Sequence, residues 1–159
     1  MTIRSTLGVT LLLLFVVVLG MALAGEVKLD YYEHLQAQAD TIVDRGERML
    51  PFRVTPDEVD SQLVALKQDS LARVVLLTDQ LEEREVQFFR LGQLKVADFL
   101  DEGGRRVRRD IRDDSGRVRI EVYYGRNGNV AETRYLDESG DEVHSKSEPF
   151  PYLGPWRLY

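Results

Sequence analysis

The feature of this 159-residue sequence that most restricts its fold is a row of glycines at a constant spacing. Successive glycines of the row are twelve residues apart. A repeat of twelve residues accommodates a strand of about eight and a turn of about four, with Gly at the φ > 0 position that hairpin turns need. The spacing therefore predicts an antiparallel β-meander of about four to five strands over residues 89–148, because internal repetition reports architecture ahead of any single motif. The glycines are Gly92, Gly104, Gly116, Gly128 and Gly140.

Side-chain matching across the strands predicts the register of two hairpins. A four-residue turn at Asp113–Gly116 would place Asp110 opposite Arg119 and Arg108 opposite Glu121. Opposite charges then face each other, and the apolar residues of the two strands meet on the other side.

The next hairpin contains Asn127–Gly128, the strongest two-residue turn signal in the chain. A tight turn there pairs Glu121 with Arg134 and Ile120 with Tyr135. A four-residue loop would place like charges opposite each other, so we predict the tight turn.

The strands end in Tyr and continue into an acidic or Asn-containing turn closed by Gly, as in YLDESG and YYGRNG. In this respect residues 101–148 resemble YD-repeat and MORN-repeat β-hairpin arrays. The resemblance implies a scaffold, a shell or a binding surface.

A strong helix start precedes the repeats. Thr55 is a suitable N-cap, Pro56 fits the first helical position, and Glu58 can close a capping box. We predict a long helix over 56–88, after a linker at 51–55. Its apolar side predicts either packing on the preceding helix or a coiled-coil seam for a partner. The seam candidates are Leu71, Val74, Leu77 and Leu81.

Residues 26–50 show apolar positions at three- and four-residue steps, which predicts an amphipathic helix. Before it, Leu7 to Ala24 carries no charge and is about long enough to span a bilayer, so we predict a transmembrane anchor over 1–25. A cleaved secretory signal ending near Ala24 is the alternative. The membrane-embedded residues would be Leu11, Leu12, Leu13, Leu14, Phe15, Val16, Val17, Val18 and Leu19.

Charge sets the expected topology and excludes some partners. Arg4 before the apolar run and the acidic residues after it predict a cytoplasmic N-terminus, with the bulk of the chain extracytoplasmic, as in a periplasmic protein. The net charge of −6 argues against nucleic acid as a partner. The sequence has no cysteine, which excludes disulfides and thiolate metal sites.

The chain shows no arrangement that suggests catalysis. His34 and His144 are the only histidines, and neither has a neighbouring ligand at metal-binding spacing. Carboxylates are plentiful but are distributed as on a solvated surface. We therefore predict no enzymatic activity, no cofactor, no metal and no small-molecule substrate.

Two further features suggest binding. An arginine-rich stretch either pairs across strands or leaves Arg105, Arg109 and Arg112 for an anionic partner. The tail 149–159 contains three prolines and is predicted to be an extended strap, which packs either on its own sheet or on a partner. Its partner-binding candidates are Tyr152, Trp156 and Tyr159.

Together these features predict an α+β fold: a transmembrane helix, a helical stalk or helical hairpin, and then the meander. The favoured function is a non-enzymatic, single-span accessory subunit that holds other proteins in a membrane assembly. The alternative is an exported β-sheet module, soluble after signal cleavage, that binds a ligand or an envelope polymer.

Overall fold

The structure is a computed structural model that describes residues 29–55, Glu58 and residues 71–147. The chain divides into two compact units, Met1–His34 and Leu35–Tyr159. Helix α1 covers residues 29–47, and every contact described below lies within the second unit.

Eight strands form one sheet, in which the order along the chain is also the order in space. The pair β1–β2 is parallel, and each later pair is antiparallel. The strands are β1 Phe52–Val54, β2 Leu71–Leu77, β3 Glu83–Arg90, β4 Gln93–Leu100, β5 Arg106–Arg112, β6 Val118–Tyr124, β7 Val130–Leu136 and β8 Glu142–Ser147.

Helix α1 packs on one face of this sheet, which we call the helix-covered face. Leu35, Ala39 and Ile42 are buried at the three- and four-residue steps of an amphipathic helix. At Gly46 the contact is so close that a Cβ atom would lie 2.5 Å from the Phe88 ring. The sheet contributes buried side chains on this face, namely Val75, Val86, Phe88, Val96, Ile111 and Ile120.

The opposite face is divided into two parts. At β1 to β3 it carries an apolar cluster formed by Val54, Ala72, Val74 and Phe89. From β3 to β7 it carries charged and aromatic side chains, and we call this part the polar face.

Four turns of the meander share one backbone geometry. In each, the first residue donates its N–H to the carbonyl of the fifth, and the fourth donates to the carbonyl of the first. The glycine in fourth place has a φ between 74° and 87°. These turns are Asp101–Arg105, Asp113–Arg117, Gly125–Asn129 and Asp137–Asp141.

The turn between β2 and β3 repeats this geometry without a glycine. Thr78 pairs with Glu82 in the same way, and Leu81 takes the fourth place with a φ of 64°. Between β3 and β4, Leu91 and Gly92 instead form a two-residue turn.

The strand register advances by one repeat from hairpin to hairpin. Asp98 lies opposite Arg109, Asp110 opposite Glu121, and Val122 opposite Thr133. Because neighbouring residues of a strand point to opposite faces, equivalent residues of successive hairpins alternate between the two faces. The repeat therefore builds two different surfaces from one template.

The predicted fold class is wrong. The sheet has eight strands in place of four to five, and α1 is the only α-helix among the described residues. No helix in that part of the chain is long and apolar enough to cross a bilayer, which contradicts the predicted single-pass anchoring. The apolar run Leu7 to Ala24, on which the anchor and the signal alternative rest, lies outside the described residues.

The helix predicted over 56–88, with its coiled-coil seam, is also wrong in its described part, where β2 and β3 lie. Leu71–Leu77 is buried on both faces of the sheet, so its continuous apolar run imitates a helix that is apolar all round. The capping interaction itself is present, because the Thr55 N–H donates to the Glu58 carboxylate at 3.2 Å.

The two predicted registers differ in outcome. The pairs Glu121–Arg134 and Ile120–Tyr135 are confirmed, although a three-residue turn followed by a bulge replaces the two-residue turn. The β5–β6 hairpin also has a three-residue turn and a bulge. There they shift the pairing relative to the predicted register, so that Asp110 faces Glu121 and not Arg119. A bulge near each turn, invisible in the spacing, accounts for the shift.

Candidate functional site

The polar face presents two neighbouring rows of side chains across the sheet. One row contains Gln87, Asp110, Glu121 and Arg134, with Asp110 directly opposite Glu121 and Glu121 opposite Arg134. The other row lies two residues further along the strands, nearer to the turns 101–105 and 125–129. It contains Glu85, Phe99, Arg108, Tyr123 and Glu132.

Side chains of the two rows pair along four of the strands, β3, β5, β6 and β7, between residues two positions apart. On β3 Gln87 bonds Glu85 at 2.8 Å, and on β6 the Tyr123 hydroxyl donates to Glu121 at 2.8 Å. On β5 and β7 the pairs are Arg108–Asp110 and Arg134–Glu132. Every second residue of a strand points to the same face, so this spacing brings the partners together.

Arg108 is held from two sides. Its guanidinium lies 4.3 Å from the centre of the Phe99 ring, and its Nη2 donates to Asp110 Oδ2 at 3.1 Å. Its Nε lies 2.9 Å from Asp110 Oδ1 but is not directed at that oxygen, so the contact is an ion pair without a hydrogen bond. Cation–π contact and ion pair together fix the orientation of the guanidinium.

Asp110 is the most buried carboxylate of the polar face, with 5% of its side chain exposed. Burial raises the pKa of Asp110 above its usual value, the Arg108 charge opposes that rise, and the Glu121 charge opposite adds to it. Two carboxylates facing each other across strands repel, so Arg108 is needed to balance the pair.

Arg134 repeats this arrangement on β7. Nε and Nη2 reach the two Glu132 oxygens at 2.8 and 3.2 Å, and the guanidinium lies 4.9 Å from the centre of the Tyr123 ring. The hydrogen bond from Arg134 lowers the pKa of Glu132. The pKa of Tyr123 is raised, chiefly by burial and then by the hydrogen bond that its hydroxyl donates to Glu121. The polar face thus carries fixed donors and acceptors beside aromatic rings.

The arginines predicted to be available for a partner have different roles. Arg109 is buried on the helix-covered face and forms a two-pronged pair with Asp98 at 2.6 and 2.9 Å. Arg112 donates to the Gly116 carbonyl, and Arg105 is exposed in a turn, where it pairs with Asp101. Of the three, Arg105 is the most exposed, with 65% of its side chain accessible.

The predicted apolar seam does not exist as one surface. Leu71 lies on the helix-covered face and Val74 in the apolar cluster of the opposite face, whereas Leu77 is half-buried at the end of β2. Leu81 is 69% exposed in a turn. The tail candidates Tyr152, Trp156 and Tyr159 lie outside the described residues, as do the predicted membrane-embedded residues Leu11 to Leu19.

Sequence reasoning did not identify the residues of the polar face as a site. Their signal was present in the alternation of β5 and β6, because the predicted register already placed Arg108, Asp110 and Glu121 on one face. The shifted register concealed which of them are neighbours. Among the described residues, no group of three His, Asp or Glu side chains could hold a metal ion.

No protein-family model and no curated protein matches the sequence. Solved structures show partial likenesses. The GtfA/B complex bound to UDP and GlcNAc is 24% identical over 49% of this chain and 18% of that chain, with a TM-score of 0.42. A second GtfA/B complex is 20% identical over 50% of this chain and 16% of that chain, with a TM-score of 0.43. S. aureus TarM is 9% identical over 73% of this chain and 25% of that chain, with a TM-score of 0.37. At these TM-scores the likenesses support no functional argument.

Proposed function

We propose that this chain is a binding module that holds an extended, hydroxyl-rich polymer, such as a glycan of a cell envelope, on its polar face. The row that runs from Glu85 on β3 to Glu132 on β7, through Phe99, Arg108 and Tyr123, is the observation that supports this most strongly. With strands about 4.8 Å apart, a row from β3 to β7 extends over roughly 19 Å. Such a length suits a chain-like ligand better than a single small molecule.

The chemistry of the face favours hydroxyl groups over highly charged ligands. The two rows contain four carboxylates, Glu85, Asp110, Glu121 and Glu132, but only two guanidinium groups, those of Arg108 and Arg134, so the face carries excess negative charge that repels a polyanion. Paired carboxylates still have lone pairs that accept hydrogen bonds from hydroxyl groups, and guanidinium groups retain further N–H donors. Aromatic rings beside such groups can contact the apolar C–H surface of a sugar ring.

The arrangement favours binding over turnover. Asp110 and Glu121 are facing residues, and glycoside hydrolases also use two carboxyl groups. Here Asp110 is held by Arg108, and Glu121 accepts the Tyr123 hydroxyl. Pre-organised side chains lose little entropy on binding, which favours affinity.

Affinity electrophoresis of the full chain through gels containing a neutral glucan, a chitin-type amino-sugar polymer or a uronate polymer tests the proposal. We expect retardation by the neutral glucan or the amino-sugar polymer but not by the polyanionic uronate polymer. Retardation should fall several-fold in Glu132→Gln, which removes the partner of Arg134 at nearly constant volume.

Glu47→Gln is the matched control, because Glu47 is exposed on α1 at the other side of the sheet. Retardation by neither the glucan nor the amino-sugar polymer, or equal loss in the control, would contradict the proposal. Release of reducing sugar ends by the wild type would show turnover and overturn the binding-only assignment.

A further inference from the structure

A cleft with a volume of about 370 Å³ opens at one turn edge of the sheet, between the turns 101–105 and 125–129. Arg105 and Arg106 line it from the first turn and the start of β5, and Tyr124 and Arg126 line it from the end of β6 and the second turn. This volume lies in the range of ligand sites, which is roughly 300 to 1,000 Å³. The cleft shares no residue with the polar face.

Positive charge exceeds negative charge in this cleft, although the chain as a whole carries −6. Three arginines line it, and Asp101 is the only carboxylate among its lining residues. Asp101 is engaged by Arg105 at 2.8 Å, so these two charges cancel locally. The remaining excess comes from Arg106 and Arg126.

Arg106 is only partly neutralised by its neighbours. Its Nε lies 2.9 Å from Asp98 Oδ2, but no hydrogen bond forms there, and Asp98 already receives two from Arg109. Glu47 is 3.6 Å away and half-exposed. Arg106 therefore has two ion-pair partners but donates no hydrogen bond to either, which leaves its N–H groups available at the base of the cleft.

Arg126 is exposed and forms no ion pair with any described residue. It lies in second place of the turn 125–129, where the equivalent residues of three other turns are acidic: Glu102, Asp114 and Glu138. The substitution of an arginine at this one place converts an acidic turn into one wall of a basic cleft.

The remaining lining suits a ring that carries the anion. Val107 and Tyr124 supply apolar surface, and the Arg106 guanidinium lies 5.5 Å from the centre of the Tyr124 ring. The space beside Gly128 is open, because a Cβ atom there would meet nothing within 4 Å.

We propose that this cleft binds an oxyanion, either a carboxylate or a phosphate group, carried on a ligand about the size of one sugar ring. Guanidinium groups suit both anions because their N–H donors match the spacing of two oxygens. Arg126 and Arg106 contact the anion, and Tyr124 and Val107 contact the ring. The site goes beyond the proposed polymer binding and is independent of it.

The test is a titration of the full chain at constant ionic strength. Binding is monitored through the backbone amide NMR shifts of residues 101–107 and 124–128. The probes are glucose 6-phosphate, glucuronate and, as the uncharged comparison, glucose. We expect saturable shifts with one or both charged sugars and none with glucose. Which of the two saturates identifies phosphate or carboxylate as the preferred anion.

Variants locate the site. Arg126→Ala should weaken binding by at least about threefold, because a charge-assisted hydrogen bond is lost, whereas the fold should be unaffected at an exposed turn position. Arg90→Ala is the matched control, since Arg90 is exposed at the opposite turn edge of the sheet. Unsaturable shifts with both charged sugars, or equal weakening by both variants, would overturn the proposal. Glu132→Gln should leave this titration unchanged, which separates failure here from failure of the polar-face proposal.

Discussion

The helix-covered face and the polar face use equivalent residues of the repeat for different purposes. On the helix-covered face the pair Asp98–Arg109 joins opposite charges, and both side chains are at least 92% buried. One repeat later, on the polar face, the equivalent pair Asp110–Glu121 joins like charges. Both buried aspartates need a neutralising arginine, which comes from the facing strand for Asp98 and from the same strand, as Arg108, for Asp110. Asp110 can therefore face the half-buried Glu121, and the polar face keeps charges that a ligand can reach.

The largest expected effect removes the neutralising partner on the helix-covered face. Asp98→Ala leaves Arg109 buried without its carboxylate, which should lower the free energy of unfolding by about 3 to 5 kcal/mol. Urea unfolding of the two proteins measures this difference. Asp40→Ala is the control: Asp40 lies 3.9 Å from Arg109 and is 62% exposed, so its removal should matter little. Equal losses in both variants would contradict the assignment of Asp98 as the essential partner.

The second prediction concerns the turns, which set the register of both faces at once. Gly128 has a φ of 80°, and Gly128→Val should destabilise the sheet by about 1 to 2 kcal/mol because a β-branched residue is disfavoured there. Leu81 holds the same place in the turn 78–82, and Leu81→Asn should stabilise by roughly 0.5 to 1 kcal/mol since Asn tolerates a positive φ. Thermal melts test both directions. A Gly128→Val melt identical to that of the wild type would mean that φ at this place does not limit stability.

These turns also show how far the sequence determines the fold. The glycine spacing indicates hairpins, and complementary charges identify Glu121 opposite Arg134 correctly. The β5–β6 register was wrong because Arg108 pairs along its own strand with Asp110, so matching charges across strands is a poor guide there. Strand β2 was missed because a strand buried on both faces has no period that separates it from a buried helix.

The candidate site was harder to predict than the fold. The polar face becomes a site only when the two rows are in the correct register, and the cleft depends on two turns that are 24 residues apart. Arg105 was singled out because the predicted register left it without a cross-strand partner, whereas Arg126 was not singled out. Only the repeat alignment, in which Arg126 replaces an acidic residue, could have identified it.

The third prediction tests the like-charged pair of the polar face. Because the folded-state pKa of Asp110 is raised, the unfolded chain ionises first as the pH increases from about 3.8. Stability contributed by this group therefore falls with rising pH until the folded-state pKa is passed. Asp110→Asn has no such dependence, so its stability relative to wild type should increase over this window.

At neutral pH the same variant should change the free energy of unfolding by no more than about 1 kcal/mol, because the lost contact with Arg108 is offset by relief of repulsion from Glu121. Urea unfolding between pH 3.5 and 7 gives both quantities. A loss as large as that of Asp98→Ala would remove the distinction between the two faces. So would a relative stability that declines with rising pH.

The smallest effect decides whether the polar face is organised along the strands or across them. Glu121 and Arg134 lie opposite each other, yet Arg134 contacts Glu132 at 2.8 Å, and Glu121 contacts the Tyr123 hydroxyl. A double-mutant cycle on Glu132 and Arg134 should therefore show a favourable coupling, and a cycle on Glu121 and Arg134 a smaller one. Both cycles are measured by thermal melts at low salt, and the coupling along the strand should weaken as salt is added. A larger coupling for Glu121 with Arg134 would mean that cross-strand attraction fixes the Arg134 guanidinium. Pairing between residues two apart on the same strand would then not pre-organise this face for its ligand.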